Sequence, residues 1–293
     1  MTIFTGVATA LITPMNHNGI DYDALEKLIN MQIDNNIDAL VTNGTTGEPS
    51  TLTEEEKLQL MKTTIEIVNK KVPVIAGAGS NCTSYAVELA VKAQQAGADA
   101  ILAVTPYYNK GTQQGLVGHF KAIADNTTLP IVLYNVPSRT GINMLPETVS
   151  CLTGYKGICA IKEASGNINQ ILELARIASG KIQIYSGDDA LTYSVMTLGG
   201  AGVISVASNI IPRYIKELTQ AALNGNYEIA KSMQLKVLPL INALFCEVNP
   251  IPVKCAAKLM GICSDYVRLP LTPCAKEDII KKELINFGLI NEA

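Results

Sequence analysis

IVLYNVPSRTGINMLPETVSCLTGYKGICAIK, residues 131 to 162, holds one complete structural repeat, and its reading decides the fold. It opens on a β-branched apolar run over 131–134, crosses a polar loop, starts a helix at Pro146-Glu-Thr-Val and ends on a second run over 158–162. Neither run alternates apolar with polar residues. Strands that read as continuous hydrophobic segments are buried on both faces, as happens where a parallel sheet is covered by helices. Pro146 suits a helix start because the first helical N–H has no partner inside the helix.

The same unit recurs on both sides of this stretch. Apolar runs over 7–12, 39–42, 72–76 and 100–105 precede it, and runs over 182–185 and 202–206 follow. Helix starts lie between them. Thr53-Glu-Glu-Glu forms a capping box for a helix reaching about Asn69, and Asp21-Tyr-Asp-Ala-Leu opens another. Eight strands, each followed by a helix, predict an α/β fold of the (β/α)8 TIM-barrel type over a doubly wound sheet. A doubly wound dinucleotide site would also need G-x-G-x-x-G after its first strand. Gly6 opens no such set, and Gly77-Ala-Gly79 after strand three lacks the third glycine.

Beyond Ile210 the strand pattern stops, and 214–223, 227–245, 252–260 and 276–287 read as helices. The predicted organisation is a barrel core over 1–209, with a closing helix continuing to about 224, and a C-terminal helical extension over 225–293. That extension is too apolar for a disordered tail and is expected to pack on the barrel or on another subunit.

Composition narrows the function. Of 293 residues 48% are hydrophobic, and 23 basic against 26 acidic side chains give a formal charge of −3. Such a chain has no basic footprint for nucleic acid. No apolar run reaches the roughly 18 residues of a membrane span. The first fifteen residues hold no Lys or Arg, so no secretory signal is expected and the predicted location is cytoplasmic. Seven cysteines without a C-x-x-C pair are expected to be reduced core residues. Two histidines cannot build a three-histidine zinc site, so metal chemistry is not expected, and His119, on a helical pattern, is assigned no role.

Active sites of such barrels sit at the C-terminal ends of the strands. Strand two runs into Gly44-Thr45-Thr46-Gly47-Glu48, strand four into Pro106-Tyr107-Tyr108, and strand five into Tyr134-Asn-Val-Pro-Ser138-Arg139-Thr140. Strand six ends at Lys162 and strand seven at Ser186-Gly187-Asp188-Asp189. A lysine at a strand end either snorkels to water or, in a dry barrel mouth, offers a nucleophilic amine. Hydroxyls of Tyr134, Tyr107, Tyr108 and Thr45 form a proton chain or are packing residues. The glycine-flanked turn is either a simple turn or a backbone nest for a small carboxylate, and Arg139 a surface ion pair or a bidentate carboxylate fork. The acids after strand seven argue against a phosphate grip there.

Together, Gly44-Thr-Thr-Gly-Glu, Pro106-Tyr-Tyr, Tyr134-Asn-Val-Pro-Ser-Arg-Thr and Ile161-Lys-Glu-Ala-Ser resemble the dihydrodipicolinate (4-hydroxy-tetrahydrodipicolinate) synthase family of pyruvate-dependent class I aldolases, over nearly the whole chain. The Thr-Gly-Glu turn, the strand-five Tyr and the strand-six Lys are shared with N-acetylneuraminate lyase and 2-keto-3-deoxy sugar acid aldolases, which are the alternative activity. The second Thr, the paired tyrosines and the Ser138-Arg139-Thr140 element resemble the synthase in particular. The resemblance implies a lyase without metal or organic cofactor that condenses pyruvate with L-aspartate 4-semialdehyde, the committed step toward diaminopimelate and lysine. Lys162 then forms the Schiff base and Tyr134 is the general acid/base, linked through Thr45 to Tyr108 of a neighbouring subunit. Thr45 and Thr46 bind the pyruvate carboxylate, Arg139 steers the semialdehyde, and Gly187, Ile204 and Asn249 line or support the site. A homotetramer built from tight dimers is implied as well.

Lysine-sensitive relatives hold free lysine at the tight-dimer interface with a Ser-Ala pair, two histidines, a glutamate, an Asn and a Tyr. The matching positions here read Pro49-Ser50, Glu54, Lys57 and Tyr85, with Asn81 and Tyr107 kept. Insensitivity to lysine feedback is therefore expected.

Overall fold

The computed structural model describes residues 2–178 and 180–292. Eight parallel strands close into a barrel in chain order. They are β1 (Gly6–Ala10), β2 (Ala39–Thr42), β3 (Val74–Gly77), β4 (Ala100–Val104), β5 (Ile131–Asn135), β6 (Ile158–Glu163), β7 (Gln183–Ser186) and β8 (Gly202–Ser205). Closure is made at β1, where Ala8 lies level with Ala39 on one side and Ile204 on the other. Every expected run became a strand. The first stops short of its apolar end because the chain past Ala10 turns toward a small hairpin, Met15–Asn16 with Gly19–Ile20, leaving Ile12 to donate its N–H to the Asn209 side chain.

Alternate strand residues point to opposite faces, and both faces are buried here. Ala8, Ala10, Ala39, Ala100 and Ala160 share the barrel interior with Ile75, Leu102, Val132, Tyr134, Tyr185 and Ile204. Their neighbours Val7, Leu40, Ile101, Leu133 and Ile161 face the helices. This accounts for the unbroken apolar runs. Small interior residues leave room for a few large ones. Tyr185 stacks on Phe4 at 4.2 Å and donates to the Phe4 carbonyl at 2.7 Å, filling the N-terminal end.

The outer helices are α1 (Tyr22–Asp34), α2 (Glu54–Val68), α3 (Thr83–Ala96), α4 (Gln113–Asp125), α5 (Pro146–Ser150), α6 (Ile168–Ala178), α7 (Thr192–Thr197) and α8 (Pro212–Leu223). Thr53 and Glu56 exchange both capping-box hydrogen bonds, at 3.2 and 2.9 Å, and Asp21 caps α1. Three further helices, α9 (Tyr227–Leu244), α10 (Ile251–Leu259) and α11 (Glu277–Asn286), form the C-terminal extension. Leu240, Ile241, Val253, Ile280 and Leu284 join one buried cluster with Leu28, Ile29 and Ile215, so the extension shares its core with the barrel's helical shell.

The cysteines correct the sequence expectation in part. All seven are free, but only Cys255 is buried, and Cys82 and Cys151 are exposed. Cys82 occupies the N-cap position of α3, with no capping bond from its side chain, and Cys151 the C-cap position of α5, so both stand at helix ends on the surface. His119 is buried on α4, with its Nδ1 3.0 Å from the Thr83 hydroxyl, and burial pushes its pKa down to about 4. No helix among the described residues is long and apolar enough to cross a membrane.

Candidate active site

Lys162 sits level with Tyr134 across the β5–β6 ladder, both pointing into the barrel mouth. Alternation sends the adjacent Glu163 the other way. Its carboxylate accepts from the Ser165 N–H at 2.6 Å and from the Asn135 side chain at 3.1 Å, and burial raises its pKa. The acid beside Lys162 in sequence is thus not its partner in space. Only 4% of Lys162 is exposed, and its Nζ lies 4.4 Å from the centre of the Tyr134 ring. Two lysines are buried among the described residues, and they contrast. Lys254 is paired with Glu48 at 2.5 Å, whereas Lys162 takes part in no ion pair between described residues.

Gly187 makes room for that amine. A Cβ there would stand 2.9 Å from Lys162 Cγ, 3.0 Å from its Cε and 2.7 Å from the Ala164 Cβ, so any side chain would displace the extended lysine. Above Lys162 opens a cavity of about 340 Å³ reached by Tyr134, Thr46, Arg139, Gly187 and Asn249. Asp188 also lines it, with a carboxyl whose pKa is raised by burial.

The Gly44–Glu48 segment enters from the β2 end. Asn43 and Glu48 bracket it with left-handed backbone, at φ 55° and 58°, and Thr45–Gly47 forms a 3-10 turn that no side chain caps. Gly77 is the device that admits it, since a Cβ there would lie 2.0 Å from the Asn43 carbonyl oxygen. Thr46 is buried and accepts a hydrogen bond from Asn249 Nδ2 at 3.0 Å. Thr45 lines an adjoining cavity of about 310 Å³, which also touches Tyr134, Arg139 and Tyr107. Arg139 lies on the short helical turn Pro137–Thr140 and donates from Nη2 to the Asn249 carbonyl at 3.0 Å.

Seven of the nine residues singled out in the sequence therefore gather at one mouth: Lys162, Tyr134, Thr45, Thr46, Arg139, Gly187 and Asn249. Ile204 packs one layer below them, 1% exposed in the barrel interior. Tyr108 stands apart. It is 87% exposed, lines neither cavity and sits at φ 73°, a left-handed conformation that an aromatic residue rarely adopts. Sequence reasoning missed Asn242 and Phe245, which close the Lys162 cavity from the end of α9. It also missed the Glu48–Lys254 pair. The helical period of 227–245 marks an apolar stripe, but nothing local says that its last turn overhangs the barrel mouth.

The arrangement suits imine chemistry. An unpaired buried amine lies under a phenol that can carry protons, with a hydroxyl-bearing turn on one side and a guanidinium on the other for two carboxylates.

The sequence over 3–285 matches the model of the dihydrodipicolinate synthetase family. A 4-hydroxy-tetrahydrodipicolinate synthase of Geobacter metallireducens is 52% identical over 271 residues, covering 92% of this chain and 93% of its own. Among solved structures, dihydrodipicolinate synthase from Thermotoga maritima superposes with a TM-score of 0.97 at 42% identity, covering 99% of this chain and 100% of that one. The lysine-bound synthase of Cyanidioschyzon merolae superposes at 0.95, also at 42% identity, with 99% and 100% coverage. The closed barrel, the lysine and tyrosine side by side at its mouth and similarity along nearly the full length agree: the chain belongs to the dihydrodipicolinate synthetase family.

Proposed function

We propose that this chain is a lyase of the class I aldolase type that condenses pyruvate with L-aspartate 4-semialdehyde to 4-hydroxy-tetrahydrodipicolinate. The observation that carries the reading is the buried, unpaired Lys162 amine 4.4 Å from the Tyr134 ring, in a chain whose relatives carry that activity in their names. Lys162 Nζ adds to the pyruvate ketone, and the carbinolamine loses water to leave a protonated imine. That cation draws electrons from the methyl carbon, which gives up a proton to form the enamine. The enamine carbon attacks the aldehyde, whose oxygen takes a proton. The substrate's own amine then displaces Lys162 and closes the ring. Tyr134 handles the protons, through Thr45 and the Tyr108 hydroxyl of a neighbouring copy, and the Thr45–Thr46 turn holds the pyruvate carboxylate. The site needs neither metal nor organic cofactor, because the iminium is the electron sink.

Aldolases of sugar acids share the lysine and tyrosine but act on polyhydroxylated chains. The lining carries Ser138, Asp188 and Asn242 as well as Ala190, Val206, Ile241 and Phe245, so what favours the semialdehyde is the Arg139 guanidinium, which suits an acceptor that brings a second carboxylate. Parallel assays with aspartate semialdehyde and N-acetylneuraminate test the reading. Turnover of the second without the first overturns it.

Arg139 is expected to serve the second substrate. A charged contact of this kind is worth about 1.5 to 3 kcal/mol, so Arg139→Ala lowers kcat/KM for the semialdehyde by about 10 to 100-fold. Borohydride-trapped imine with pyruvate alone is retained. A variant that traps no imine while its semialdehyde dependence stays normal reverses the assignment.

The lysine response is expected to be absent. The adjoining cavity holds Pro49, Ser50, Glu54, Lys57, Tyr85 and Tyr107. Its one carboxylate already has an ammonium: Lys92 Nζ lies 2.8 Å from Glu54 and 2.7 Å from Glu88. An incoming lysine would compete with a tethered side chain for the same acid and would meet the like charge of Lys57. Steady-state rates in millimolar L-lysine are expected to equal those without it. Inhibition at that level means that Glu54 releases Lys92 to the ligand.

A further inference from the structure

The second buried lysine has no place in the chemistry above, yet it touches the segment that carries Thr45 and Thr46. Lys254, on α10, is fully buried. Its Nζ donates to Glu48 Oε1 at 2.5 Å and to the Tyr266 carbonyl at 2.7 Å. Glu48 closes the Thr45–Gly47 turn in left-handed backbone, and its other carboxylate oxygen, Oε2, is buried without a partner. Two more contacts from the C-terminal part of the chain grip the same segment. Asn249 Nδ2 donates to Thr46 Oγ1 at 3.0 Å, and Arg268 donates to the Thr51 carbonyl at 2.9 Å and in bidentate fashion to Glu56 at 2.7 and 2.6 Å. Thr46, Glu48, Thr51 and Glu56 are thus each held from behind by residues 249–268.

A buried ion pair is a poor source of net stability, because desolvating both charges offsets most of their attraction. It is well suited to fixing one geometry. If Glu48 moved, Lys254 would lose the contact that offsets its burial, so the closed pair favours one position of the turn.

We infer that Lys254, with Glu48 as its partner and Arg268 at the outer end, is a positioning residue for pyruvate: the C-terminal extension clamps the Thr45–Thr46 turn in the geometry that receives the carboxylate. This rests on the proposal that the turn binds pyruvate.

The test is Lys254→Met in the full chain, read by hydrogen exchange across 44–51 and by borohydride trapping titrated with pyruvate. Exchange in that segment is expected to quicken about tenfold or more while β5 and β6 keep parental protection, and the pyruvate concentration for half-maximal trapping to rise by a similar factor. Maximal adduct at saturation stays unchanged, since Lys162 is intact. A folded variant with parental exchange and parental pyruvate dependence overturns the inference. If Lys254→Met does not fold, Arg268→Gln at the partly exposed end of the clamp is expected to shift both readouts the same way by about threefold, and parental values there overturn it equally. A parent enzyme that traps no pyruvate would refute the imine reading, and the exchange data alone would then decide the clamp.

Discussion

Lys162→Ala is expected to give no adduct when pyruvate and borohydride are added together, and to lose turnover by on the order of 10⁴-fold or more, the scale of removing a covalent nucleophile. Its fold is expected to survive. Lys162 closes no ion pair among the described residues, and its side chain borders an open cavity, so truncation strands no buried charge and opens no sealed void. Circular dichroism and the melting temperature are therefore expected to stay near the parental values. The contrast with Lys254 is informative: both lysines are almost wholly buried, but only one leaves a carboxylate behind when it is removed. Peptide mapping of the trapped parent completes the test. A pyruvyl adduct on any other lysine would sink the assignment.

The barrel was legible because its signals are local. Each strand is a short apolar run, continuous because both of its faces are buried, and the capping box at Thr53 and the proline at 146 mark helix starts within four residues of sequence. The cysteines misled for the opposite reason. Residue type alone suggests burial, but Cys82 and Cys151 lie at helix ends, where position decides exposure. Within the site, the residues at strand ends could be read by counting along the strands. Tyr134 and Lys162 lie level in the ladder, and Gly187 follows β7 directly. Contributions from the extension could not be read this way. Lys254 meets Glu48 across 206 residues of sequence, and Asn242 and Phe245 reach the cavity only because α9 docks over the mouth. Such contacts depend on how whole elements pack, which no local pattern encodes.

Tyr108 is the residue whose placement says most about assembly. In one chain its hydroxyl belongs to neither cavity, its ring is 87% exposed and its backbone is held at φ 73°, with its N–H donating to the Thr140 carbonyl at 3.2 Å. A second copy would give the ring a destination, and the proton chain from Tyr134 through Thr45 would end on a hydroxyl supplied in trans. Tyr108→Phe alone is then expected to lose about 10²- to 10⁴-fold in turnover, the range for a positioned proton carrier. Lys162→Ala alone is expected to be inactive. Co-refolded in equal amounts, the two are expected to recover activity, because in a mixed dimer one site combines an intact Lys162 from one protomer with an intact Tyr108 from the other. Random pairing makes half of the dimers mixed, each with one of two sites intact, so recovery approaches about a quarter of the parental rate. Native mass spectrometry establishes that mixed dimers are present. If they form and activity stays at the sum of the two single variants, each site is complete within one chain and the exposed tyrosine serves the interface alone.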